Sequence, residues 1–130
     1  MGTYTEIIFG ANLKKDTPPQ VINALQYMIG TRKDKPEDFP LPMGRCEYVL
    51  RGTSYYFGVI GSVSQLRFDE ISDSWTISTR SNIKNYNQEI ETFLAWIKPY
   101  IAYASGERNM YAVVLCEHDT EPTIYYLKDI

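Results

Sequence analysis

Two polar-aromatic runs in the sequence have the residue types needed to hold a small charged ligand. One is Leu50-Arg51-Gly52-Thr53-Ser54-Tyr55-Tyr56-Phe57-Gly58; the other is Arg80-Ser81-Asn82-Ile83-Lys84-Asn85-Tyr86-Asn87. The second is expected to pass from a strand into a helix start, where exposed backbone N–H groups favour anions. Arg51, Arg80 and Lys84 would add positive charge, and Asn82 lies between the last two. Tyr55, Tyr56 or Tyr86 would offer a ring face for a base to stack on. Such a combination suits a small phosphorylated ligand. The competing expectation is structural: Tyr55 and Phe57 fill the core and the asparagines cap the helix.

Other reactive residues fall into weaker patterns. The single histidine, His118, stands near Cys116, Glu117 and Asp119. Along a strand Cys116 and His118 would share a face, but spacing names no partner to complete an oriented triad. A surface histidine beside a turn is the expectation. Asp69, Glu70 and Asp73 surround one expected hairpin, and Glu117, Asp119 and Glu121 surround another. A divalent ion needs several converging oxygens, and neither run has the spacing of a calcium-binding loop. Turn-forming acids are therefore expected. There is no phosphate-binding GxxxxGK[ST] loop, no GxGxxG, no GxSxG and no HExxH. No catalytic residue, metal ligand or cofactor follows from the sequence, and the chain reads as non-enzymatic.

Composition bounds the answer further. A chain of 130 residues has the usual size of one domain. Folding can bury roughly two-thirds of the surface such a chain exposes when unfolded, so no staple is required. A net charge of -3 is a poor match for a nucleic-acid backbone, and direct DNA binding is not expected. The 11 tyrosines fit either an aromatic sheet face or a contact surface. Cys46 and Cys116 form no CxxC pair, and with one histidine they cannot build a standard zinc site. Two reduced, buried thiols in a cytosolic protein are expected, with a Cys46–Cys116 bridge left open. Gly2 invites a myristoylation reading, but Glu6 stands where a serine or threonine is wanted. No signal peptide and no membrane span are expected.

The elements that would position these residues follow from periodicity. Residues 5–13 suggest a strand with Ile7, Phe9 and Ala11 on one face, and Gly10 marks a bulge or a close backbone approach. Thr17-Pro18-Pro19-Gln20 has the makings of a helix start, with Thr17 as cap and Gln20 completing a capping box. Val21, Ile22, Leu25, Met28 and Ile29 form one apolar stripe at helical period, and Gly30 is placed to end it. Residues 31–43 carry Pro36, Pro40 and Pro42 and read as a solvated loop. Residues 46–59 look extended, with a break near Gly52. Residues 64–71 and 74–80 suggest two strands joined at Ser72-Asp73. Asn85 or Asn87 would cap a second helix whose apolar face is Ile90, Phe93, Leu94, Ile97 and Ile101, with Pro99 kinking or ending it. Residues 110–116 and 123–127 suggest a last hairpin.

The expected order is β-α-β-β-β-α-β-β. It predicts a single α+β domain over residues 1–130, with an antiparallel sheet of about five to six strands and two helices on one face.

The segments FGANLKKDTPPQVINALQYMI, LRGTSYYFG, RSNIKNYNQEIETFLAWIKPYI and EHDTEPTIYYL, in this order, span almost the whole chain. In them the chain resembles a family of small proteins encoded in tailed phages and prophages. The resemblance carries over no catalytic residue. What it implies is a phage-type accessory protein acting on a host component in the host cytoplasm.

Three functions follow as expectations. The first is antagonism of host defence by binding a host protein, in keeping with the enrichment of tyrosine at interfaces. The second is a sponge that sequesters a small nucleotide signal. The third is a homo-oligomeric structural or assembly module, a homodimer for example, associating through an exposed sheet face or the Trp96, Tyr100 and Tyr103 flank.

Overall fold

A computed structural model describes residues 3–42, 44–53, 62–103 and 109–128. It contains one antiparallel sheet and two α-helices, the α+β class expected. In chain order the elements are β1 (Tyr4–Asn12), α1 (Pro19–Ile29), a 3-10 turn (Arg45–Tyr48), β2 (Val63–Asp69), β3 (Ser74–Lys84), α2 (Glu89–Ile97), a second 3-10 turn (Lys98–Tyr100), β4 (Met110–Cys116) and β5 (Thr123–Tyr126). The strands lie side by side as β2-β3-β1-β4-β5, so β1 is the centre of the sheet.

Alternation along the strands separates two faces. Ile7, Phe9, Ile77, Ala112 and Val114 are buried together with Val21, Leu25 and Met28 of α1 and Ile90, Phe93, Leu94 and Ile97 of α2. Both helices therefore cover the same face. Phe9 and Phe93 meet edge to face, with centroids 5.2 Å apart. Burying side chains of this size contributes about 1.5–3 kcal/mol each, which is the main force holding sheet to helices. The opposite face carries a row across all five strands: Val63, Arg80, Ile8, Val113 and Ile124 stand opposite one another in register. Ile8 is 43% exposed and Val63 60%.

Several local expectations hold. Gly30 adopts the left-handed conformation that ends α1 (φ 91°), and its N–H donates to the carbonyls of Gln26 and Tyr27. The α-helical ladder of α2 stops at Ile97, just before Pro99, and the chain tightens into the 3-10 turn. Both cysteines are free; Cys46 is buried as expected, whereas Cys116 is only half-buried.

Others are corrected. Residues 46–50 are not extended: Arg45–Tyr48 forms a 3-10 turn, and Val49 and Leu50 are both fully buried. Consecutive buried residues suit a tight turn rather than a strand with one wet face. Among the described residues the sheet has five strands, within the expected five to six; residues 54–59 of the expected strand lie outside the described residues. Thr17 does not cap α1. The helix begins at Pro19, and the Thr17 hydroxyl donates back to the Lys14 carbonyl at 2.6 Å. Gly10 sits in regular register opposite Ser78, with no bulge and only ordinary contact to a neighbouring backbone. β3 runs on past Arg80 to Lys84, because residues 81–84 pair with Tyr4–Ile7 instead of starting a helix. Asn85 still serves α2, accepting from the Ile90 N–H at 2.9 Å.

Candidate functional site: a basic, tyrosine-lined cleft at the end of β3

β2 stops opposite Arg80, but β3 continues, and the vacant edge beyond is taken by Gly52. The Gly52 carbonyl accepts from the Asn82 N–H at 3.0 Å. The approach is too close for a side chain. A Cβ on Gly52 would lie 2.6 Å from the Asn82 carbonyl and would overlap the Ile83 side chain. Glycine at this position lets the segment after the 3-10 turn lie flat against β3, which brings Arg45, Tyr48 and Thr53 around the strand end.

The result is a cleft of about 350 Å³, lined by Tyr4, Arg45, Tyr48, Asn82 and Lys84 around Gly52. That volume falls at the small end of the range for ligand pockets, roughly 300–1,000 Å³. Tyr4 and Lys84 are direct cross-strand partners, and Asn82 shares their face of the sheet. The Lys84 ammonium stands 5.6 Å from the Tyr4 ring centre. Arg45 reaches the Lys84 carbonyl at 3.4 Å and lies 5.1 Å over the Tyr86 ring. Cations over aromatic faces are attracted by the ring quadrupole, which keeps both head groups at the rim.

The electrostatics of the cleft are one-sided. Among the described residues, neither Arg45 nor Lys84 has a carboxylate within ion-pair distance. The nearby acid Glu47 is engaged elsewhere. Its carboxylate accepts from the Lys35 ammonium at 2.9 Å and from the Tyr27 hydroxyl at 3.0 Å. The Lys35 hydrogen bond, helped by that of Tyr27 and opposed by burial, holds the Glu47 carboxyl below its ordinary range. Arg51 is built into the wall behind the cleft. Its guanidinium donates to the Tyr27 carbonyl at 3.0 Å and stacks 4.9 Å over the Tyr48 ring, fixing that ring in place.

Asn82 is the unusual member. It is 3% exposed, and its Oδ1 is a buried side-chain oxygen with no hydrogen-bond partner among the described residues. Buried polar atoms are nearly always paired, so an orphan of this kind calls for an explanation.

The two runs singled out in the sequence do meet, through the Gly52–Asn82 hydrogen bond. Asn82 and Lys84 line the cleft, and Arg51 supports it from behind. Tyr86 touches it only through Arg45 and lines a neighbouring cleft with Asn85, Glu91 and Cys116. Arg80 is not among the lining residues. It forms a two-point ion pair with Glu6, Nε to Oε2 at 2.9 Å and Nη2 to Oε1 at 3.3 Å. Tyr55 and Tyr56 lie outside the described residues.

Sequence reasoning missed Tyr4, Arg45 and Tyr48. Arg45 and Tyr48 are three residues apart, a spacing that aligns side chains in a 3-10 turn but alternates them in the extended reading. Tyr4 is found only through its register with Lys84.

The remaining reactive groups do not assemble. His118 is exposed, its Nε2 3.7 Å from Glu117, while Asp119 accepts from the Cys116 backbone N–H. Among the described residues no group of three or more His, Cys, Asp or Glu side chains could hold a metal ion. Among the described residues no helix is long and apolar enough to cross a membrane. No family model, curated protein or solved structure matches the chain.

Proposed function

We propose that the protein is a non-enzymatic binding module whose cleft captures a small nucleotide. The observation that carries this reading is the convergence of Arg45 and Lys84, both without a carboxylate partner among the described residues, on a cleft walled by Tyr4 and Tyr48. The two cations suit a phosphate, and a tyrosine ring suits a base or sugar face. The cleft holds a mononucleotide better than a polymer, because the chain's net charge of -3 disfavours a long polyanion. As a phage-type accessory protein, it would act by lowering the free concentration of such a nucleotide in the host.

The test is calorimetric titration of the protein with nucleoside 5′-monophosphates at low salt. Binding is expected in the wild type. Lys84→Ala should weaken it by about tenfold or more, since a hydrogen bond to a charged group contributes roughly 1.5–3 kcal/mol. Its melting temperature should stay nearly unchanged, because Lys84 has no ion pair among the described residues. An absence of heat with every nucleotide at millimolar concentration would remove the reading.

A second reading is favoured by the helix-free sheet face. Ile8, Val63, Met110 and Ile124 are exposed there, with Ile8, Val113 and Ile124 in one row. Such a face suits association with a host protein, the defence-antagonist role. Self-association in sedimentation, abolished by Ile8→Lys, would assign the face to a second copy instead.

A further inference from the structure

Resting on the nucleotide reading of the cleft, we infer that Asn82 selects a base of the adenine type, one bearing an amino group beside a ring nitrogen. The backbone N–H of Asn82 is already given to Gly52, so recognition falls to its side-chain amide. The residue is 3% exposed, and among the described residues its Oδ1 has no donor. An acceptor buried without a donor costs free energy. A ligand that supplies an N–H would satisfy it.

The shape of the donor follows from the amide. It presents a carbonyl oxygen and an NH2 group side by side, which match an exocyclic amino group next to a ring nitrogen. Adenine offers that pair, and asparagine contacts adenine in this two-point manner where proteins read bases. A two-point contact requires the amide edge to turn toward the cleft about the last side-chain bond, which is soft in asparagine. The flanking groups agree. Lys84 stands two residues along the same face of β3, and Arg45 is bonded to the Lys84 carbonyl. Phosphate and base would therefore be held from neighbouring positions of one strand, with Tyr48 at the wall.

The experiment compares adenosine 5′-monophosphate with purine riboside 5′-monophosphate, which lacks only the amino group. Wild type should bind the adenosine compound about tenfold or more tightly, the discrimination typical of a two-point contact. Asn82→Ala should bring the two within about twofold of each other while leaving the dependence on Lys84 intact. Equal affinities in the wild type would overturn the Asn82 assignment and leave the nucleotide reading standing. No binding of either compound would remove both. A short oligoadenylate that competes more strongly than the mononucleotide would move the site from a free nucleotide to an RNA end, and would overturn the inference as stated. The wild-type comparison does not depend on any variant folding. Melting curves of Asn82→Ala check that its loss of discrimination is not loss of structure.

Discussion

Gly52 and Asn82 are joined backbone to backbone at 3.0 Å, and their closeness leaves no room for a Cβ on the glycine. The contact extends the sheet edge by one residue beyond the end of β2. It also ties the wall of the cleft to its floor, so stability and site geometry depend on the same pair.

Gly52→Ala should therefore do two things at once. The added methyl must displace the Asn82 carbonyl or the Ile83 side chain. Overpacking of this kind typically costs about 1–3 kcal/mol. Urea denaturation should show the loss of stability. Nucleotide titration should show weakened binding, because Tyr48 and Thr53 move with the segment. A variant as stable as wild type would mean that the edge contact is dispensable.

The Arg80–Glu6 pair supplies the contrast. It lies on the helix-free face but outside the cleft, and Glu6 is 7% exposed. Arg80→Ala leaves that carboxylate buried without its partner, at a cost of about 1–3 kcal/mol for an unsatisfied polar group. Glu6→Gln combined with Arg80→Ala should recover part of the loss, since the uncompensated charge is gone. Neither variant should change nucleotide affinity by more than about twofold if charge acts at short range. Denaturation curves and calorimetry on the same samples separate the two effects.

Acid should weaken the wall of the cleft through Glu47. Its carboxyl is lowered from its ordinary value of 4.5, chiefly by the Lys35 ammonium and secondarily by the Tyr27 hydroxyl. The folded form thus binds a proton less readily than the unfolded one. The stabilisation is complete above about pH 4.5 and fades as the pH falls through the lower folded value. Glu47→Gln should be less stable than wild type near about pH 7 and should lose less on acidification to about pH 3. Parallel stability curves in the two chains would show that Glu47 is not the linked group.

Much of this architecture can be read from periodicity. The stripe Val21, Leu25 and Met28, the stop at Gly30, and the face Ile90, Phe93, Leu94 and Ile97 are local patterns. Each side chain does what its spacing demands. The Met110–Cys116 strand is equally local. The failures come where distant partners outweigh local preference. Residues 81–84 contain asparagine and serine, which suit a helix start, yet pairing with Tyr4–Ile7 keeps them in the sheet. Cys46, Val49 and Leu50 have strand-like types, yet a core to fill on one side winds them into a tight turn. The cleft shares this division. Asn82 and Lys84 stand out by their company in the sequence. Tyr4, Arg45 and Tyr48 join them only through register and the turn.

The placement of β1 sets a cost in time. Its two neighbours in the sheet, β3 and β4, are both far along the chain, and β4 follows everything but the last hairpin strand. The middle of the sheet therefore closes only after long stretches of chain have been drawn together, and that entropy is spent before the ladder returns anything. Folding of such a topology is slow compared with a helical bundle of similar length. Until β4 arrives, β1 has at most one edge paired, and the unpaired edge of an apolar strand is a template for another chain.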